Sequence, residues 1–84
     1  MPEQDTSIVA LVNEIVTSLV DEPEQVQVGG VEEAEALLIE IKVAPDDVGK
    51  VIGRQGRIIK AIRTLARAAS SYADGMPVDV EVID

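Results

Sequence analysis

The sequence predicts an α+β fold in the order α-β-β-α-α-β, with a three-stranded sheet packed against three helices, and three observations carry that prediction. Apolar residues recur at helical spacing near the start, at Ile8, Leu11, Val12, Ile15, Val16 and Leu19. Short stretches around Val26–Val28, Leu37–Val43 and Val78–Ile83 alternate apolar with polar or glycine residues, which is the strand period. Between the second and third of these lies a glycine-interrupted run followed by a long amphipathic pattern from Gly56 or Arg57 onward.

Each element follows from local chemistry. Residues 1–5 are polar and are expected to be disordered. The first helix should run from about Thr6 to Val20, capped by Asp5, Thr6 or Ser7, and should end because Pro23 disfavours helical angles at Glu22. Val26-Gln27-Val28 reads as a short strand that Gly29-Gly30 breaks in a hairpin turn, with Glu32-Glu33-Ala34-Glu35 as an acidic turn. Leu37–Val43 is the second strand, with Ile39, Ile41 and Val43 on one face and Glu40 and Lys42 on the other. Ala44-Pro45-Asp46-Asp47 is a turn whose acid caps a helix of one or two turns, Val48–Ile52. In the last helix, Ile58, Ala61, Ile62, Leu65, Ala68, Ala69 and Tyr72 share one arc, predicted to be its core stripe. Arg57, Lys60, Arg63 and Arg67 share another. Asp74-Gly75-Met76-Pro77 closes that helix, and the last strand turns its valines inward.

Eighty-four residues make a single domain, 1–84, because a second would leave neither half a sufficient core. There is no cysteine, hence no disulfide framework or thiolate metal site, and no cofactor is expected. No stretch of about 18 apolar residues and no charged leader occurs, so no membrane partner is expected and cytoplasm is the expected compartment. Tyr72 is the one aromatic residue, which removes aromatic stacking as a general means of holding bases.

Charge is the more informative property. The chain carries a net charge of −9, yet Lys50, Arg54, Arg57, Lys60, Arg63 and Arg67 fall in a segment without acids, while Lys42 is the one base elsewhere. Distant carboxylates are screened beyond roughly 8 Å at physiological salt, so a polyanion meeting this segment would see positive charge. Within it, Val51-Ile52-Gly53-Arg54-Gln55-Gly56-Arg57 places two glycines around two polar residues immediately before a helix. Gly53 and Gly56 let a sugar-phosphate backbone approach, and the unpaired amides opening the next helix favour a phosphate. Arg54 and Gln55 would supply charge and hydrogen bonds, and Lys50, Arg57 and Lys60 would extend the positive edge. Val51, Ile52 and an aliphatic residue of the second strand would form an apolar floor for bases. Arg63 and Arg67 are as readily a solvated helix face.

The run Val51-Ile52-Gly53-Arg54-Gln55-Gly56-Arg57-Ile58-Ile59-Lys60-Ala61-Ile62-Arg63 resembles the I-G-x-x-G signature of KH domains, and the element order is similar to their type II form. With little else in the chain, it resembles the small stand-alone bacterial KH proteins of the KhpA (YlqC) group. That resemblance implies a non-enzymatic RNA-binding protein that holds about four nucleotides of single-stranded RNA in its GxxG cleft. It also implies an RNA chaperone or post-transcriptional regulator acting as a homodimer or with a KhpB (Jag/EloR)-type KH-containing protein. Two other readings stand beside it. One is a protein-interaction module with RNA secondary, for which Ile59, Ala66 and the valines of the first helix are candidate apolar contacts. The other is a small nucleotide hydrolase, which lacks a G-x-x-x-x-G-K-[ST] loop and any histidine, and whose Asp46-Asp47 reads better as a cap than as a metal site.

Overall fold

The computed structural model describes residues 6–34, 36–69 and 77–83. Helix α1 spans Thr6–Leu19, strand β1 Gln27–Glu32, strand β2 Leu37–Lys42, helix α2 Val48–Ile52, helix α3 Arg57–Ala69 and strand β3 Val78–Val82. Single 3₁₀ turns at Pro23–Gln25, Pro45–Asp47 and Arg54–Gly56 connect them. The expected order therefore stands, with α1, β2 and β3 each ending one residue early. The expectations for residues 1–5, for the α1 cap and for the α3 terminus from Ser70 through Tyr72 to Met76 fall outside the described residues or side chains.

The sheet runs β1-β2-β3, with β1 antiparallel and β3 parallel to the central strand. Both helical patterns turn onto one sheet face because the strands alternate: Leu37, Ile39 and Ile41 of β2 and Val78 and Val80 of β3 are buried, while Lys42, Asp79 and Glu81 are exposed. Ile8, Val12 and Val16 of α1 and Ile62 and Ala66 of α3 complete the core. Each fully buried Ile or Val contributes on the order of 1.5–3 kcal/mol.

Three local expectations are corrected. Gly29 and Gly30 do not break β1. They lie inside it, opposite Glu40 and Ile39, and the turn comes later, where the Glu33 amide donates to Ala36 O at 2.8 Å. Gly30 faces α1, where an added Cβ would sit 3.3 Å from Val9 Cγ2, so its small size lets the helix lie close to the strand. The core stripe of α3 is also turned from its expected arc: Ala61, Leu65, Ala68 and Ala69 are exposed, Leu65 by 50%, while Ala66 is fully buried and Ile59 packs against the core. Ala66 and the α1 valines Val12 and Val16 are thus core residues, not free contacts for a partner, and Ile59 is half-buried against them. Lastly, Asp47 makes no side-chain cap bond to α2. Its carboxylate instead accepts from the Asp21 and Glu22 amides at 3.2 and 3.1 Å, tying the end of α1 to the start of α2.

Candidate nucleic-acid interface

The site begins where α2 runs out of helix. Gly53 adopts φ 78°, ψ 171°, a region essentially closed to residues with a Cβ, and its amide closes α2 by donating to Gly49 O at 2.8 Å. A Cβ there would stand 2.6 Å from Ile58 Cγ1 and 2.9 Å from the Ile58 backbone nitrogen, so glycine is demanded by space as well as by conformation. Gly56, at φ 74°, needs glycine for conformation alone, because a Cβ would meet nothing nearer than Ile59 Cγ2 at 3.9 Å. Between them Gln55 is left-handed, φ 58°, ψ 24°, which is uncommon for a residue that is not glycine.

That backbone has a chemical consequence. A helical Arg54 followed by a left-handed Gln55 turns successive amides to one side, the geometry of an anion-holding concavity. The Gly56 and Arg57 amides are used within the turn, donating to Gly53 O and Arg54 O, whereas the Arg54 and Gln55 amides have no backbone acceptor among the described residues. The N-terminus of α3 opens directly behind them and adds its dipole.

The side chains sort into two groups. Arg54, Gln55, Arg57 and Lys60 are exposed, and none of the three bases lies within ion-pair distance of a carboxylate among the described residues. Arg57 Nη2 reaches only Gln55 Oε1, at 3.4 Å. Lys50, by contrast, is held by Asp21 at 3.3 Å and Asp47 at 3.4 Å. Hydrogen bonding to Asp21 and then to Asp47 raises its pKa above the ordinary lysine value. Burial works against the charged Asp47 carboxylate, but the Asp21 and Glu22 amides together with Lys50 outweigh it and hold its pKa below the usual value.

Arg63 and Arg67 are not a solvated face. Arg63 Nε donates to Asp79 Oδ1 at 2.8 Å and its Nη2 to Val80 O at 3.0 Å, while Arg67 Nε donates to Val78 O at 2.8 Å. They bind α3 to β3. The expected apolar floor changes too: Val51 is fully buried and lies beneath the loop as core, leaving half-buried Ile52 beside it. Leu37, Ile39 and Ile41 of β2 are likewise committed to the core. A cavity of about 540 Å³ is lined by Gln27, Lys42, Val43, Pro45, Val48 and Ile83 among others, and by no residue of the glycine loop. Sequence reading missed the left-handed Gln55. The glycine on either side, which lets the chain reverse sharply, was the available signal.

A three-stranded mixed sheet covered on one face by α1 and by two helices joined through a Gly-Arg-Gln-Gly turn defines a KH domain of the type II order. The profile of the KhpA/KhpB KH domain matches residues 9–82, and the chain belongs to that family. It is 52% identical over 73 residues to the RNA-binding protein KhpA of Clostridium perfringens, covering 87% of this chain and 96% of that one. Against KhpA of Chlamydia trachomatis the identity is 43% over 70 residues, covering 83% and 88%. The fold is also that of a region of Era from Aquifex aeolicus, with a TM-score of 0.65 at 24% identity. The match takes in 99% of this chain but only 33% of Era.

Proposed function

We propose that this protein binds short single-stranded RNA at the Gly53–Gly56 loop, without catalysis, with a phosphate seated on the Arg54 and Gln55 amides and flanked by Arg54, Arg57 and Lys60. One observation carries this reading: within the basic segment from Lys50 to Arg67, the bases left without a carboxylate partner among the described residues are the ones gathered around a loop whose Arg54 and Gln55 amides are also unengaged. The relatives named RNA-binding protein KhpA support the choice of RNA as the polyanion. Gly53, Gly56 and Ile52 shape the site, Val51 supports it from below, and Lys50 acts through the fold.

A single cleft holding about four nucleotides cannot select one transcript. The domain therefore works as an RNA chaperone or post-transcriptional regulator in an assembly of linked sites, as a homodimer or beside a KhpB-type protein, where linkage raises avidity by about 10² to 10⁴. The apolar residues left exposed on the helices, Leu65 at 50% and Leu11 at 36%, favour a helical face for that association.

The test is fluorescence anisotropy of short labelled RNAs with wild type and Arg54→Asp/Gln55→Asp at two salt concentrations. Wild type is expected to bind and to weaken with salt, while the variant keeps its thermal midpoint and loses at least about a hundredfold in affinity. Equal binding by both proteins would place the RNA elsewhere on the molecule.

A further inference from the structure

The two edges of the sheet are finished in opposite ways. The Leu37 amide donates to Pro77 O and the Ile83 amide to Ile41 O, which fixes the phase of β3: Val78, Val80 and Val82 turn their backbone groups away from β2. Side chains occupy that outward edge. Arg67 takes Val78 O, Arg63 takes Val80 O, and the Asp79 carboxylate accepts from the Val80 amide at 2.9 Å while pairing with both arginines. Such an edge cannot accept another strand without surrendering these bonds.

At β1 the bond from the Glu33 amide to Ala36 O sets the phase in the same way. Gln27, Gly29 and Val31 pair with β2, and Val28, Gly30 and Glu32 point their N–H and C=O groups outward. Among the described residues no side chain and no other backbone group bonds to them. The strand has no proline, no lysine and no bulge, its one charged side chain is Glu32, and its register is unbroken from Gln27↔Lys42 to Glu32↔Leu37. Five of its six residues are exposed. Gly29 adds a separate observation. An added Cβ would meet nothing within 4 Å, so the fold has no steric need for glycine there, and the residue leaves the outer sheet face bare beside the open edge.

We infer that β1 accepts an extended, lysine- or arginine-bearing segment of another protein as a fourth strand, antiparallel or parallel, along Val28, Gly30 and Glu32. Backbone hydrogen bonds supply the binding, as in other strand-addition sites. Charge selects the occupant. Glu24, Glu32, Glu33 and Glu40 lie on or beside β1 and its partner strand, and Lys42 is the one base there, so a basic strand is attracted and a second copy of a chain with net charge −9 is opposed. The protein would then hold polyanion at its basic corner and a basic polypeptide at its acidic edge, without competition between them.

The experiment uses the full-length ¹⁵N-labelled protein and a capped octapeptide of alternating lysine and valine, with the glutamate–valine counterpart as control. Binding of the basic peptide should slow amide exchange at Val28, Gly30 and Glu32 by at least tenfold and leave Val78 and Val82 unchanged. Glu32→Pro deletes one outward N–H that no ladder bond uses and should weaken binding at least tenfold. Val31→Lys, at a 40% exposed position on the outer face, should weaken it severalfold by repulsion and guards against a folding defect in the first variant. Arg54→Asp/Gln55→Asp should leave it intact. The inference is overturned if millimolar basic peptide leaves the three amides unprotected, if both peptides protect them equally, or if protection grows with protein concentration alone, which would make the occupant a second copy.

Discussion

Lys60 and Arg63 sit one turn apart on the same flank of α3, yet one side chain is exposed with no carboxylate partner among the described residues and the other is bonded to both Asp79 and the backbone of β3. The same division runs through the whole basic segment. Arg54, Arg57 and Lys60 cluster at the loop without a carboxylate partner among the described residues, while Lys50, Arg63 and Arg67 tie α2 to the end of α1 and α3 to β3. Local positive charge in a strongly acidic chain therefore divides in two, and what separates the groups is whether the fold brings a carboxylate or carbonyl within reach. Under the proposed function the unpaired bases attract the ligand. The paired ones neutralise the protein's own acids and carbonyls.

The largest effect should come from removing the backbone that keeps the free group together. Gly53→Ala forces a Cβ into Ile58 and into a glycine-only conformation and should cost about 2–4 kcal/mol in chemical denaturation. Gly56→Ala meets open space and should cost only about 1–2 kcal/mol, for its left-handed conformation. Equal costs would mean that the two glycines are not distinguished by packing.

The division itself is tested by Lys60→Ala against Arg63→Ala. For single-stranded RNA, each lost phosphate contact reduces the slope of log affinity against log salt by about 0.7. Lys60→Ala should show that reduction with stability unchanged to within about 0.5 kcal/mol. Arg63→Ala should keep the slope and lose about 1–2 kcal/mol of stability, because Val80 O and Asp79 lose their donor. A reversed pattern would dissolve the distinction between free and committed bases.

Lys50 offers a pH-dependent version of the same test. Its folded pKa is raised, so its pairing stabilises the protein fully below the ordinary lysine value of 10.5 and is lost as pH climbs through the folded value. Asp47 has a lowered folded pKa, so its contribution is present above 3.8 and is lost as pH falls through the folded value. The stability difference between wild type and Lys50→Gln should accordingly be flat from about pH 5 to 9 and shrink at both extremes, as urea midpoints would record. A difference that persists above the lysine range would mean that Lys50 acts through packing of its stem instead.

Much of this was legible in the sequence because it is local. The period of α1, the alternation of β2 and β3 and the spacing of Gly53 and Gly56 each lie within a few residues, and the fold follows them. What was not legible depends on residues distant in the chain. Arg63 meets Asp79 16 residues later, and Asp47 meets the Asp21 and Glu22 amides 26 and 25 residues earlier, so the count of basic residues could not tell which were neutralised. The rotation of α3 was hidden for a related reason. The widest apolar arc pointed to Leu65, but once Arg63 and Arg67 reach the β3 edge, the face between them and Ile58 must turn inward, which buries Ala66 and exposes Leu65. Gly29-Gly30 looked like a break because glycine usually punctuates strands. Here Gly30 is a contact surface for Val9.

The finest test keeps the charge and changes only its shape. Arg63→Lys retains a cation on the same flank of α3, so any long-range attraction of RNA is preserved. An ammonium at the end of a flexible stem cannot reproduce the planar fork that serves Asp79 Oδ1 and Val80 O together. If Arg63 belongs to the structural group, stability falls by about 0.5–1 kcal/mol while RNA affinity and its salt slope stay at wild-type values. If affinity drops while the denaturation midpoint holds, the guanidinium itself contacts RNA. The boundary between the two groups would then move a full turn along α3, taking the β3 edge into the binding surface.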